Sequence, residues 1–446
     1  MEKIETYERE ERAILVGVNT GAEPDFDACM EELEKLAEAS QMEVVGVLTQ
    51  NMPEKHRSLY VGTGKAEEIR EAAKALNADI IVFYDSLSPT QLRNLQKEIE
   101  CPVMDRTALI LDIFEKRAES SEAKLQVEAA KLQYLLPRLV GMHEALTRQA
   151  GTSGSKSSRG LGEKKLELDK RKINHRLDEL RRELKEVAAG RLVKRKKRME
   201  SRLPLVSLVG YTNAGKSTLL NAMVDTYMED DEKKVLEKDM LFATLDTTVR
   251  RIDNGSSPVF LLSDTVGFIH NLPHSLIKAF HSTLEEVKEA DLLLHVIDFA
   301  DDQHQAHIKD TLATLTELGA AHIPMIYVYN KADKCMEDIP FKMDENRIYI
   351  SASKQIGIEE LTEMIIDIVF ADYQEMDVLI PYQDGAVTSY FIENAEIKKL
   401  QYFEEGAAMT VRCHVADRDK YKKYMRDEAG DSDLQPLSLL PPRRNP

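Results

Sequence analysis

The chain has 446 residues, 43% hydrophobic and 31% charged, enough for two to four domains at roughly 100–200 residues each and too apolar to be wholly disordered. No apolar run approaches the roughly 20 residues of a spanning helix, and Met1 to Arg12 is charged where a signal peptide turns apolar, which argues against secretion and stable membrane insertion. A formal net charge of −18 argues against a nucleic-acid partner when taken over the whole chain. Four scattered cysteines (Cys29, Cys101, Cys335, Cys413) form no C-x-x-C pair, so a zinc ribbon is excluded and a reducing compartment is expected. The expectation is a cytoplasmic monomer, with peripheral membrane association left open.

In chain order, Ala13 to Val18, Val44 to Leu48, Ile80 to Tyr84 and Pro102 to Met104 read as strands, and Phe26 to Ala39, Ala66 to Leu76 and Pro89 to Ile99 as helices. Strands spaced by helices imply a parallel sheet with covered faces, so residues 1–117 are expected to form a small α/β domain. Gly62-Thr63-Gly64-Lys65 lacks the four-residue spacer and the following hydroxyl of a phosphate loop and reads as a tight turn opening a helix.

Residues 118–202 keep a seven-residue apolar beat. One seam is Leu125, Leu132, Leu139 and Leu146 with Ala129 and Leu136; the other is Leu166, Ile173, Leu180 and Val187 with Leu177 and Leu184. The glycine- and serine-rich run Gly151 to Gly162 separates them, which predicts a helical hairpin with that run as the loop at its tip. Pro137 is expected to kink or split the first helix. Gly162 to Arg202 carries 16 Lys/Arg and 8 Asp/Glu, a local +8 that leaves −26 on the remainder. An isolated charge run is ordinarily a solvated helix face. A basic rod on an acidic body also suits a protein that meets RNA phosphate in one orientation.

From 203 to 372 a second β-α alternation follows. Its strands are Leu205 to Val209, Val259 to Leu262, Leu292 to Ile297, Met325 to Tyr329 and Arg347 to Ile350, and they predict a doubly wound domain. Residues 373–446 read as a small α+β cap, with a possible helix at Ala386 to Ala395, and a loose tail.

The chemistry is concentrated in the doubly wound part. Gly210-Tyr211-Thr212-Asn213-Ala214-Gly215-Lys216-Ser217 matches G-x-x-x-x-G-K-[ST] between an apolar strand and a helical segment, the context a phosphate loop requires. Backbone amides and the helix N-terminus face the phosphates, Lys216 reaches the β/γ oxygens and the Ser217 hydroxyl ligates Mg²⁺. Asp264-Thr265-Val266-Gly267 follows the next apolar strand; Asp264 would position Mg²⁺ through water, and the Gly267 amide would sense the γ-phosphate. Asn330-Lys331-Ala332-Asp333 follows another, where the Asp333 carboxylate can accept both N1–H and N2–H of guanine, a donor pair adenine lacks. Asn330 would brace the loops and contact the base edge, with the Lys331 stem along its face. Ser351-Ala352-Ser353 would offer a backbone N–H to guanine O6. Four such elements in order, each at a strand's carboxyl end, spell an α/β chain with a Ras-like P-loop GTPase domain whose substrate is GTP.

Phe242-Ala243-Thr244-Leu245-Asp246-Thr247-Thr248 lies in a polar stretch suited to a switch loop, where a threonine closes over Mg²⁺ when the γ-phosphate is present. Spacing leaves Thr244, Thr247 and Thr248 as alternatives. Phe268 stands where Ras-type enzymes carry the glutamine that orients the attacking water. No catalytic side chain is assigned, and slow intrinsic hydrolysis accelerated by a partner is expected.

Taken together, the phosphate-loop octet, Phe242-Ala243-Thr244-Leu245-Asp246 and Asp264-Thr265-Val266-Gly267-Phe268 resemble the HflX family of translational GTPase-like proteins over almost the whole chain. The resemblance implies Thr244 as the Mg²⁺ threonine, binding to the large ribosomal subunit and its RNA, GTP hydrolysis stimulated by the ribosome, and splitting or rescue of stalled or idle ribosomes under stress. The chain departs from the family at the hairpin tip, where Leu161 replaces a proline and Lys164 a threonine, and at Thr247, where a proline is usual. The competing expectation is a GTP-dependent switch or scaffold whose seams pair with a protein partner. A pairing coil would carry complementary charges beside its seam, whereas Lys194-Arg195-Lys196-Lys197-Arg198 holds no acid.

Overall fold

The computed structural model describes residues 10–23, 25–149, 156–201, 203–227, 248–253, 258–265, 267–270, 285–339 and 342–426. Across the first two of these stretches the apolar runs pair as a four-stranded parallel sheet in the order β2-β1-β3-β4, built from β1 (Glu11–Asn19), β2 (Met42–Asn51), β3 (Ile80–Phe83) and β4 (Val103–Asp105). β1 is central and covered on both faces, so Ala13, Ile14, Leu15 and Val16 are all fully buried, as expected for a parallel strand between helices. Helices α1 (Phe26–Ala39), α2 (Thr63–Leu76), α3 (Pro89–Ile99) and α4 (Arg106–Arg117) connect or follow the strands. The Asp25 carboxylate caps α1 by accepting from the Ala28 amide, and Ser88 and Gln91 form a capping box on α3. Gly62 is the N-cap of α2, so Gly62-Thr63-Gly64-Lys65 does open a helix as a turn. α4 was not expected: Leu109, Ile110, Leu111, Ile113 and Phe114 are buried all round it, which erases the 3.6-residue stripe that marks a surface helix.

The hairpin comprises α5 (Ser121–Gln149) and α6 (Lys156–Ser201). Both seams meet: Ala129, Leu177 and Leu180 are buried together, with Leu125, Leu132, Leu136 and Ile173 packed against them. The Arg176 guanidinium grips Glu128 through two hydrogen bonds of 2.7 and 2.8 Å across the helix pair. Two expectations need correcting. α6 begins at Lys156 instead of after Gly162; the stretch holds no proline, and a glycine inside a helix costs only about 1 kcal/mol. α5 runs as one helix through Pro137, so of the two expected effects the split does not occur: the proline removes one hydrogen bond while Leu132 and Leu136, packed on α6, hold the backbone helical. The side chains of Leu146, Leu161, Lys164, Leu166 and Lys194 to Arg198 lie outside the described residues.

A seven-stranded sheet follows, in the order β10-β11-β9-β8-β5-β7-β6. Its parallel centre is β5 (Leu205–Val209), β7 (Phe260–Asp264), β8 (Leu292–Asp298), β9 (Met325–Asn330) and β11 (Arg347–Tyr349). The edges β6 (Thr248–Ile252) and β10 (Lys342–Asp344) pair antiparallel. Helices α7 (Lys216–Tyr227), α8 (His304–Leu318) and α9 (Ile358–Val369) accompany it, and separate apolar clusters form around Leu208, Leu220 and Val296 and around Val209, Leu293 and Leu315. The carboxyl ends of the parallel strands therefore collect on one rim, where ligands of such sheets bind.

Last comes a three-stranded antiparallel sheet, β12 (Tyr373–Ile380), β14 (Gly406–His414) and β13 (Glu396–Phe403) in that order. Helix α10 (Gly385–Asn394) packs Phe391 against Met376, Val378, Met409 and Val411. Among the described residues no helix is long and apolar enough to cross a membrane.

Leu180→Ala removes a fully buried side chain from the hairpin seam and is expected to lower the unfolding free energy by about 2–5 kcal/mol. Arg176→Ala, on the exposed flank, should cost far less. Urea denaturation followed by circular dichroism measures both, and equal losses would contradict a seam held by apolar burial.

Candidate functional site

The loop Gly210 to Ser217 joins β5 to α7, so the first turn of α7 points its amides at the loop's concave side. Both of its glycines are obligatory. Gly210 has φ +142° and a Cβ there would meet Val296 O at 2.2 Å; Gly215 has φ +92° and a Cβ would meet Asn330 Nδ2 at 2.3 Å. Lys216 is buried, and its ammonium donates to Gly210 O at 3.0 Å and Tyr211 O at 2.7 Å. Burial pushes its pKa down to about 8, against the opposing pull of Asp264. Ser217 Oγ donates at 2.7 Å to Oδ2 of Asp264, which is fully buried at the end of β7. These two oxygens are the hard ligand type that Mg²⁺ takes. Thr265 Oγ1 donates to Leu208 O at 2.6 Å and fixes this strand end to β5. Gly267 lies beside the loop, where a Cβ would come within 3.0 Å of Lys216 Nζ.

The guanine-type motifs converge on the same rim. Asn330 is buried; its Nδ2 donates to Ala214 O at 2.9 Å, and its Oδ1 accepts from the Ala352 amide at 3.0 Å. Lys331, with φ +61°, sends Nζ to Asn213 O at 2.8 Å and Asp298 Oδ2 at 2.7 Å. The Asp333 carboxylate has Lys354 Nζ 3.1 Å from Oδ2, while Oδ1 is buried with no hydrogen-bond partner. Burial raises its pKa, but hydrogen bonding from Ser351 and Lys354 and the Lys354 charge outweigh this and hold it below the usual carboxylate value. Ser351 and Ala352 are buried, and the Ser351 and Ser353 hydroxyls sit 3.4 Å apart. Ala332 is buried beneath the loop.

Phe242, Ala243, Thr244, Leu245, Asp246, Thr247 and Val266 lie outside the described residues. Thr248 heads β6 opposite Asp264. Phe268 pairs its backbone with the phosphate loop, accepting from Thr212 N at 2.7 Å and donating to Gly210 O at 3.1 Å. Its ring is buried among Val209, Val287, Leu293 and Leu315.

Several residues that sequence reasoning passed over belong to this rim. Tyr211 turns its side chain away from the loop, toward α1: its hydroxyl donates to Glu32 Oε1 at 2.8 Å and accepts from the His270 amide at 2.7 Å, and its ring stacks on His307 at 3.7 Å. Tyr211 and Ile269 are thereby buried in the same apolar cluster as Leu33, Leu36 and Ile110 of the N-terminal part. Asp298 carried a legible signal, a carboxylate directly after an apolar strand. His295 stands inside that strand; burial, then the Lys216 charge, pushes its pKa down to about 4, so it is neutral near pH 7. Glu32 and His307 had no signal, because their partner is distant in the chain.

Three family models match the chain in succession: GTP-binding GTPase N-terminal over residues 27–115, GTP-binding GTPase Middle Region over 117–198, and 50S ribosome-binding GTPase over 205–331. The chain is 42% identical over 412 residues to the GTPase HflX of Caldanaerobacter subterraneus subsp. tengcongensis, with 92% of each chain covered. It is 40% identical over 418 residues to the GTPase HflX of Escherichia coli (strain K12), covering 92% of this chain and 95% of that one. A solved structure described as SsGBP in complex with GDP is similar at 24% identity and TM-score 0.44, with 81% of this chain and 99% of that one covered. With identity of this order sustained along nearly its whole length, and a phosphate loop and guanine-type motifs on one rim, the chain belongs to the HflX family and is a GTP-binding GTPase.

Proposed function

We propose that this GTPase associates with the large ribosomal subunit and couples GTP binding and hydrolysis to splitting or rescue of stalled or idle ribosomes under stress. The observation that carries the nucleotide reading is the buried, unpartnered Asp333 Oδ1, held on the same rim as the phosphate loop by the Asn330 brace. A guanine N–H pair supplies what that oxygen lacks. The ribosomal reading draws support from the 50S ribosome-binding description of the model matched over 205–331 and from the +8 stretch Gly162 to Arg202, all but its last residue in α6.

Residue roles follow from the chemistry. Amides of Gly210 to Ser217 and the Lys216 ammonium hold the phosphates, whose negative charge favours the charged form of a lysine that burial otherwise disfavours. Ser217 and, from the switch segment Phe242 to Asp246, Thr244 would hold Mg²⁺, with Asp264 behind them; the ion would neutralise charge developing on the phosphates. Gly267 senses the terminal phosphate, while Asn330, Lys331, Asp333 and Ser351 to Ser353 frame the base. The protein acts as a cytoplasmic monomer, divided as 1–117, 118–202, 203–372 and 373–446. The scaffold alternative loses support because the seams bury each other within one chain, and the flanking Arg176–Glu128 pair closes the hairpin on itself.

Three outcomes are expected. Asp333→Asn should change the preference for GTP over XTP by at least about 100-fold, since an amide there presents a donor to guanine's donors; competition binding with both nucleotides measures it, and an unchanged ratio removes Asp333 from base reading. GTP turnover should rise on adding large subunits, and replacing Lys194, Arg195, Lys196, Lys197 and Arg198 with glutamine should abolish co-sedimentation at physiological salt and flatten its salt dependence. Turnover indifferent to ribosomes, with no co-sedimentation of the unmodified chain, would end the ribosomal reading. Phe268→Gln should not speed unassisted hydrolysis, because that side chain faces the core, and should cost about 2–4 kcal/mol of stability from burying an amide; a faster single-turnover rate would contradict this placement.

A further inference from the structure

Between α1 and the segment that follows Asp264 to Gly267 lies a group of side chains that nucleotide chemistry does not use. Ligand atoms of Glu23, Cys29 and His270 all lie within 4.8 Å of one another. His270 Nε2 is 3.2 Å from Glu23 Oε2, and its Nδ1 is 2.7 Å from Asp310 Oδ2. The three line a cavity of about 240 Å³, in whose wall carboxylates, Glu32 and Asp301 among them, outnumber the lone lysine, Lys35.

We propose that Glu23, Cys29 and His270 form a binding site for a divalent transition-metal ion of the zinc class, bridging the N-terminal part and the GTPase part of the chain. The donor set selects the ion: one sulfur, one imidazole nitrogen and one carboxylate oxygen suit zinc or cobalt, whereas Mg²⁺ and Ca²⁺ take oxygens alone. His270 is oriented as metal-binding histidines are, with a carboxylate on one ring nitrogen so that the other is presented to the ion. The acid-rich wall concentrates cations at the mouth. Coordination replaces the Cys29 S–H bond with a sulfur–metal bond and releases the proton to solvent. Three protein ligands leave a fourth position for water, and Asp310 remains a positioning residue behind His270.

The competing account is that a charged His270 bridges Glu23 and Asp310 as an ion pair while Cys29 only packs, in which case no transition metal is taken up. Cobalt titration of the full chain, without nucleotide and in excess Mg²⁺, separates the two. The expected result is one cobalt per chain, with a thiolate-to-cobalt charge-transfer band and the visible bands of a four-coordinate ion, displaced by zinc. C29S should abolish the charge-transfer band, and H270Q should weaken binding at least about tenfold, as loss of a ligand requires. C335S, lacking an exposed thiol, and S217A, altered in the phosphate loop, should both keep the band. Circular dichroism confirms that each variant is folded, and E23Q gives a second loss of affinity should C29S not fold. Absence of cobalt uptake by the unmodified chain, or a charge-transfer band that survives in folded C29S, overturns the proposal; neither result bears on GTP binding.

Discussion

The buried amide of Asn330 is the constraint on which the rim at the strands' carboxyl ends depends. One end holds the carbonyl of Ala214 in the phosphate loop and the other holds the amide of Ala352, so three loops from distant parts of the chain are fixed by one planar group. The same group sits so close to the loop that Gly215 has no room for a Cβ. Removing one partner of such a bond leaves a buried polar group unsatisfied, which costs more than the bond contributes. Lys331 adds a second tie, from Asn213 O to Asp298, and the two together set the rim's shape.

The opposite side of the loop is held by different physics. Tyr211 has its ring in an apolar cluster built mainly from the N-terminal part and its hydroxyl between Glu32 and the His270 amide. Glu32 is itself paired with Arg106 at 3.2 Å, both largely buried. Such a pair is expensive to break by removing one partner, even where its net contribution to stability is small. The phosphate loop therefore has one wall made by its own sheet and another made by helix α1 of the N-terminal part.

Much of this was legible in the sequence because the strands that carry the motifs are short, apolar and followed at once by polar loops. β5, β7, β8, β9 and β11 fall within a few residues of their expected places, and the hairpin seam was readable from its seven-residue beat. α4 was hidden by being apolar on all sides, and the early start of α6 by a composition that reads as loop. The edge strands β6 and β10 are short and only partly apolar. The contacts made by Tyr211 with Glu32, and by His270 with Glu23, join residues 179 and 247 positions apart; no local pattern encodes them. Phe268 was read for the glutamine it replaces, and the structure adds that its ring packs inward, away from any water on the rim.

The uninterrupted run of α6 also sets a length scale. At about 1.5 Å per residue, its 46 residues extend for roughly 70 Å. Leu161 and Lys164 sit near its far end, and Lys194 to Arg198 near the end that leads into β5, roughly 50 Å away along the axis. A substitution at one extremity is thus insulated from the cationic run at the other. A counterpart that engages both must reach across tens of ångströms, which no small solute does.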